Sequence, residues 1–177
     1  MIRVGMMSFA HMHAASYAIC LRQLRDVELA GIFDEDKSRG EAMAKNYGGK
    51  YYSDYNRLLE QKIDAVIVGS TNADHREYVI AAADAGCRYI LCEKPIATTL
   101  EDAHEMIDRC KAKEARLGIA FPCRYIPAVV NARHALEENT IGKILAARTT
   151  NHGRMPGGWF IQREKSGGGA VMDHTPH

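Results

Sequence analysis

The chain has 177 residues, of which 46% are hydrophobic and 25% charged, and its formal net charge is +1. That composition is ordinary for a soluble globular protein, and its charge balance argues against nucleic acid or a membrane surface as partner. No apolar run reaches the ~18 residues of a membrane span, and the N-terminus enters a strand pattern at once, so neither a span nor a signal peptide is read. The five cysteines are odd in number and form no CxxC pair, which fits reduced thiols in a cytoplasm.

Short apolar runs alternate with helical patterns from the first residue. Residues 2–7 predict a strand, 12–24 a helix, 27–33 a strand ending at Asp34, and 37–47 a helix stopped by Gly48-Gly49. A short strand over 50–52 and a helix over 55–61 follow. Residues 65–68 are apolar and β-branched, as a buried parallel strand should be. A helix over 74–85 ends at Gly86, a strand runs over 89–92, and Thr98 with Glu101 forms a capping-box pattern opening a helix to about 114. A strand over 117–121 closes the series. The alternation predicts an α/β fold, a Rossmann-type doubly wound parallel sheet over 1–121.

After residue 121 the texture changes. A helix is expected over 128–138, a strand over 143–150, a glycine-containing loop over 151–158, and a helix after Gly167-Gly168-Gly169. One helix and one strand do not make a domain, so 122–177 reads as the beginning of a second domain in a chain that is part of a longer protein.

Ligands of doubly wound sheets bind beyond the carboxyl ends of the strands. The first such turn, Ser8-Phe9-Ala10-His11-Met12-His13, has Ser8 and Ala10 at the first two glycine positions of G-x-G-x-x-G and His13 at the third. Small side chains permit close approach of a pyrophosphate but do not readily give the positive φ of glycine. Asp34, at the end of the second strand, suits adenosine ribose hydroxyls and disfavours a 2′-phosphate; it could equally be a helix N-terminal acid. Ser70, Thr71 and Asn72 follow the fourth strand.

Glu93-Lys94-Pro95 follows the fifth strand. A lysine held there can donate to a substrate hydroxyl and stabilise the developing alkoxide; the plainer reading is a strand-end salt bridge between Glu93 and Lys94, or with a neighbour. Asp173 and His177 share one face if their segment is helical, a general acid/base arrangement or simply a surface helix start.

Together these pieces resemble the glucose–fructose oxidoreductase / inositol 2-dehydrogenase / MocA family. The resemblance spans nearly the whole chain: Ile2-Arg3-Val4-Gly5, Asp34, residues 66–75, Ala85-Gly86, residues 91–95, Arg124-Tyr125 with Pro127, residues 141–144, and Gly167–Ala170 with Asp173 and His177. It implies a second, α+β domain with an open antiparallel sheet, incomplete here. It also implies an NAD-dependent oxidoreductase acting on a secondary alcohol of a sugar, cyclic polyol or derivative, with NAD preferred over NADP. Lys94 would contact the reacting hydroxyl, His177 would move its proton, and Asp173 would orient substrate or histidine. Ser8, Phe9, Ala10, His11, Asp34, Ser70, Thr71, Asn72, His75, Glu93 and Lys94 would line the cofactor cleft, and Arg124 and Tyr125 the domain junction. The full-length form would be a homo-oligomer, with no metal in the site.

The glycine-poor turn departs from the family pattern. Two other readings follow from it. His11-x-His13 after a first strand is similar to the metal ligands of amidohydrolase barrels, with Asp173, His174 and His177 as further ligands. Alternatively, the chain is a non-catalytic NAD-binding protein.

Overall fold

The computed structural model describes residues 1–148, 150, 153–154 and 156–174. Six strands, β1 (Ile2–Met7), β2 (Val27–Phe33), β3 (Lys50–Tyr52), β4 (Ala65–Val68), β5 (Tyr89–Glu93) and β6 (Arg116–Ala120), form one sheet in the order β3-β2-β1-β4-β5-β6. All five pairings are parallel. The order reverses beside β1, whose Met7 pairs with Phe33 on one side and Val68 on the other. A crevice opens at such a reversal, because the connections on its two sides leave toward opposite faces.

The strands are apolar on both sides because both faces are covered. On one face Met7, Phe33, Val66, Val68, Ile90 and Cys92 pack with Leu58, Val79, Ala82, Ala103, Met106 and Cys110. These come from helices α3 (Tyr55–Leu59), α4 (His75–Asp84) and α5 (Leu100–Ala112). On the other face Val4, Met6, Ile32 and Ile67 meet Ala14, Tyr17 and Ala18 of α1 (Ala14–Leu21) and Met43 and Tyr47 of α2 (Lys37–Tyr47). Neighbouring Met6 and Met7 thus enter opposite cores, the period of two expected of a strand.

The ends depart from the sequence reading. α1 starts two residues later than expected, because residues 8–13 are folded into a turn against β4. The cap of α5 is Thr99, whose hydroxyl accepts from the Asp102 amide at 3.1 Å and donates to the Asp102 carboxylate at 2.8 Å. The cap is therefore one residue beyond the expected Thr98.

Beyond the sheet come α6 (Pro127–Glu137), α7 (Arg163–Ser166) and α8 (Ala170–His174). Pro127 opens α6 where its missing N–H costs no helical bond. Among the described residues no strand follows Ala120. The expected strand over 143–150 is absent from the described part of that range, since an extended segment becomes a strand only against a ladder partner. Its residue Thr149 lies outside the described residues, as do Asn151, His152 and Met155 of the expected loop.

Candidate active site

The first turn is built by hydrogen bonds to its own neighbours. The Ser8 amide donates to the Phe33 carbonyl at 2.7 Å and the His11 amide to the Gly69 carbonyl at 2.9 Å. The Phe9 amide donates to Asp34 Oδ2 at 2.8 Å, the Ala10 amide to Ser8 Oγ at 3.1 Å, and the His13 amide to His11 Nδ1 at 3.2 Å. Ser8 adopts φ 69°, the left-handed value that the glycine of this turn would supply. The strain, on the order of 1 kcal/mol, is offset by the bond from Ser8 Oγ to Glu35 Oε1 at 3.1 Å. Gly69 makes the close packing possible: a Cβ there would stand 2.7 Å from Ala14 Cβ.

Asp34 is fully buried at this turn and is a structural hub. Besides the Phe9 amide it accepts from the Asp36 amide at 2.9 Å and from Arg39 at 2.7 Å (Nη2) and 2.9 Å (Nε). Arg39 Nη2 also reaches Glu35 at 2.6 Å. A cleft of about 600 Å³ lies beside this group, lined by Ala10, Glu35, Arg39, Thr71, Trp159 and Lys165 among others.

At the end of β5, Glu93 and Lys94 part company. Glu93 is completely buried; its Oε1 faces His13 Nδ1 at 3.1 Å and accepts from the Tyr17 hydroxyl, and its Oε2 accepts from the Lys94 amide at 3.0 Å. Burial raises the Glu93 pKa, but His13, Tyr17 and His11 outweigh it and hold the carboxyl down at about 2. Burial pushes the neighbouring His11 down to about 4, so its ring is neutral at pH 7. The Lys94 ammonium turns away, donating to Asp173 Oδ1 at 2.5 Å and to the Asp173 carbonyl at 3.1 Å. The Lys94 ammonium thus pairs with Asp173, 79 residues away, and not with the adjacent Glu93.

The C-terminal segment lies over the same strand ends. Trp159 Nε1 donates to the Ala10 carbonyl at 3.0 Å, and Trp159 and Phe160 stack with ring centroids 3.8 Å apart, both against His11. Asn72 Nδ2 donates to the Ser166 carbonyl at 2.9 Å. Gly167 follows at φ 78°, where a Cβ would meet Thr98 Cγ2 at 2.5 Å. A second cavity, about 210 Å³, is bounded by Asn72, Phe160, Ser166, Gly169, Asp173 and His174 among others. His75 is buried, its Nδ1 donating to the Pro95 carbonyl at 2.9 Å. Among the described residues, three buried side-chain polar atoms have no partner: His11 Nε2, Asn72 Oδ1 and His75 Nε2. All three follow β1 or β4.

The structure thus brings together Ser8, Phe9, Ala10, His11, Asp34, Thr71, Asn72, His75, Glu93, Lys94 and Asp173 at one end of the sheet. Ser70 is there too, buried, its hydroxyl donating to the Thr71 carbonyl at 3.1 Å. His177 lies outside the described residues. Arg124 stacks over the Phe121 ring at 4.3 Å, and Tyr125 is exposed. Arg39, Tyr17, Trp159 and Phe160 were not legible as site residues. Only Tyr17 carried a signal, four positions after His13 at the spacing of a shared helix face. The barrel reading is overturned: the sheet is open, and Asp173 binds Lys94 instead of joining His11 and His13.

A six-stranded parallel sheet with a crevice at its reversal, and a buried lysine and three unpartnered polar atoms at the strand ends, defines a nucleotide-binding Rossmann domain of the oxidoreductase kind. Residues 2–121 match the family model described as "Oxidoreductase family, NAD-binding Rossmann fold", and residues 129–177 match the GFO/IDH/MocA C-terminal domain. The chain belongs to the Gfo/Idh/MocA oxidoreductase family. It is 37% identical over 155 residues to 1,5-anhydro-D-fructose reductase of Ensifer adhaerens, covering 85% of this chain and 46% of that protein. It is 31% identical over 178 residues to myo-inositol 2-dehydrogenase of Thermotoga maritima, covering 99% and 52%. The crystal structure of an NAD-binding protein from Listeria innocua superposes with TM-score 0.86 at 26% identity, covering 99% of this chain and 52% of that one. The chain spans about half the length of the curated relatives it matches. No helix of the described residues is long and apolar enough to cross a membrane.

Proposed function

We propose that this chain carries the nucleotide-binding domain, residues 1–121, and the first part of the substrate domain, 122–177, of an NAD-dependent oxidoreductase. Its substrate is a secondary alcohol of a sugar, cyclic polyol or derivative. The observation that carries the reading is the clustering of His11 Nε2, Asn72 Oδ1 and His75 Nε2, buried and unpartnered, beyond the ends of β1 and β4. Buried polar atoms are ordinarily satisfied, and three together at the crevice fit a polar ligand there.

When bound, the nicotinamide supplies the hydride acceptor. The chain's own residues do the rest. Ser8, Phe9, Ala10 and His11 border the dinucleotide, with Ser70, Thr71, Asn72, His75 and Glu93 along the cleft. Lys94 donates to the substrate oxygen and stabilises its developing charge. Asp173 holds the lysine until substrate arrives and then orients it. His177, assigned from the family motif, takes or returns the hydroxyl proton. The preference for NAD over NADP rests on Asp34 and Glu35, whose two carboxylates both engage Arg39 and so occupy the guanidinium that would otherwise meet a 2′-phosphate.

A cytoplasmic place belongs to the same reading and rests on five unpaired cysteines. So does a homo-oligomer of the full-length protein: Ile126, Val129, Leu136, Ile144, Leu145 and Val171 are exposed and apolar, a surface for the remaining domain or a second copy to cover.

Calorimetric titration with NADH and NADPH separately is the first test. NADH binding with NADPH markedly weaker is expected; equal affinities would overturn the cofactor assignment. In the full-length protein Lys94→Ala should lower turnover by roughly 10²-fold or more while NADH still binds, and unchanged turnover would remove Lys94 from the mechanism.

A further inference from the structure

His11 and His13 stand on the turn between β1 and α1, and Glu93 ends β5, two strands away in the sheet. One nitrogen from each imidazole and one carboxylate oxygen lie within 4.8 Å of one another. We propose that these three residues form a site for one divalent transition-metal ion of the zinc class.

The donor set is chemically apt. Two imidazoles and one carboxylate are a zinc-binding combination that leaves a fourth tetrahedral position open. The His13–Glu93 separation of 3.1 Å is close to the edge, about 3.3 Å, of a tetrahedron with bonds of ~2.0 Å. Small rotations of the rings close the remaining distance.

The carboxylate is also oriented as a ligand needs to be. The Tyr17 hydroxyl donates to the same Oε1 that faces His13, and the Lys94 amide holds Oε2 at 3.0 Å. Outer partners of this kind set the direction of a coordinating group.

A second observation points to a ligand. His11 is 2% exposed, its Nδ1 accepts from the His13 amide at 3.2 Å, and its Nε2 has no partner among the described residues; coordination through Nε2 requires the ring to take the Nδ1–H tautomer and give up that amide bond. A plain His13–Glu93 pair accounts for one histidine, and the other closes the turn through Nδ1 but leaves its buried Nε2 without a partner among the described residues. Trp159 and Phe160 cover His11 with aromatic surface and shield the position from bulk water. The open coordination position would take an oxygen donor, either water or a phosphate or hydroxyl oxygen entering the cleft.

The inference does not rest on the hydride-transfer reading, and its test uses metal alone. The 177-residue protein is stripped with a chelator and titrated with Zn²⁺ against a chromophoric competitor. A parallel titration with Co²⁺ is followed by visible absorption. One ion per chain and the intense bands of four-coordinate cobalt are expected. His13→Ala and Glu93→Gln, each checked by circular dichroism, should weaken Zn²⁺ binding by more than about tenfold, at or beyond the loss seen for outer partners, and abolish the cobalt bands. Absence of binding at one equivalent, or binding that survives both substitutions, overturns the proposal. Zn²⁺ binding by a chain that binds no NADH upholds this site while the cofactor reading fails, and the reverse result separates the two equally well.

Discussion

The Lys94 ammonium and the Asp173 carboxylate meet at 2.5 Å across 79 residues of chain, with the lysine side chain 4% and the aspartate side chain 22% exposed. The pair fastens α8 to the end of β5 and so determines where the C-terminal segment lies. Removing one partner of a buried pair leaves the other desolvated and uncompensated. Asp173→Ala is therefore expected to cost about 3 kcal/mol in urea unfolding at neutral pH, and Asp173→Asn, which keeps an acceptor, clearly less. Equal stability of Asp173→Ala and the parent would show that the lysine is hydrated in solution.

Acid should undo the same region. Glu93 is held at about 2 against an ordinary 4.5. Burial raises the Asp173 carboxyl, but its bond to Lys94 prevails and leaves it below 3.8. Both folded-state values are depressed, so both groups contribute stability that is fully present above their unfolded values and disappears as pH falls through the folded ones. The Glu93 share is about 3 kcal/mol, lost between roughly pH 5 and pH 2. Denaturant unfolding across that range should show a steep decline in the parent and a flatter one in Glu93→Gln, which starts lower. Parallel curves would contradict the assignment.

Gly167 should tolerate no side chain. A methyl group there meets Thr98 and must adopt φ 78°, so Gly167→Ala combines a clash with left-handed strain. A loss of about 2 kcal/mol is expected. Adding Thr98→Gly removes both the Cγ2 and the Cβ contact, at 2.5 and 2.6 Å, and leaves the backbone term, so the double variant should recover only part. Full recovery would mean that φ at this position relaxes freely.

Ser8→Gly exchanges one effect for another. Glycine relieves φ 69°, while the bonds of Ser8 Oγ with Ala10 and Glu35 are lost. The net stability change should stay within about 1 kcal/mol. The Ala10 amide is then free to face a phosphate, so under the proposed function NADH should bind roughly 3- to 10-fold tighter by calorimetry. Weaker binding would show that the serine itself contacts the cofactor.

The chain contains one tryptophan, which makes Trp159 its own reporter. Its indole is tied to the Ala10 carbonyl at the mouth of the proposed cleft. NADH binding should therefore change its fluorescence in step with the calorimetric isotherm. An emission spectrum indifferent to bound NADH would place the dinucleotide away from this segment.

Much of this architecture is written locally. The apolar runs at Ile2–Met7, Val27–Phe33 and Ala65–Val68, punctuated by Gly48, Gly49 and Gly86, identify strands and helices because burial on two faces and helix termination depend on neighbours in the chain. Glu93-Lys94-Pro95 and the Gly167–Gly169 run likewise mark the site by residue type alone. What those residues touch was decided in three dimensions. Periodicity tells which face a side chain occupies but not which distant segment covers it. So Lys94 could be read with its neighbour Glu93 and is bound by Asp173. Asp34 could be read as a free ribose acceptor, yet its oxygens hold the Phe9 amide and Arg39. His11 and His13, read against Asp173 and His174, converge instead on Glu93, because the parallel sheet brings the end of β5 and the turn after β1 to the same end of the sheet, with only β4 between them. These partnerships need the sheet to form first, and the strand order that creates them is a property of the whole chain path.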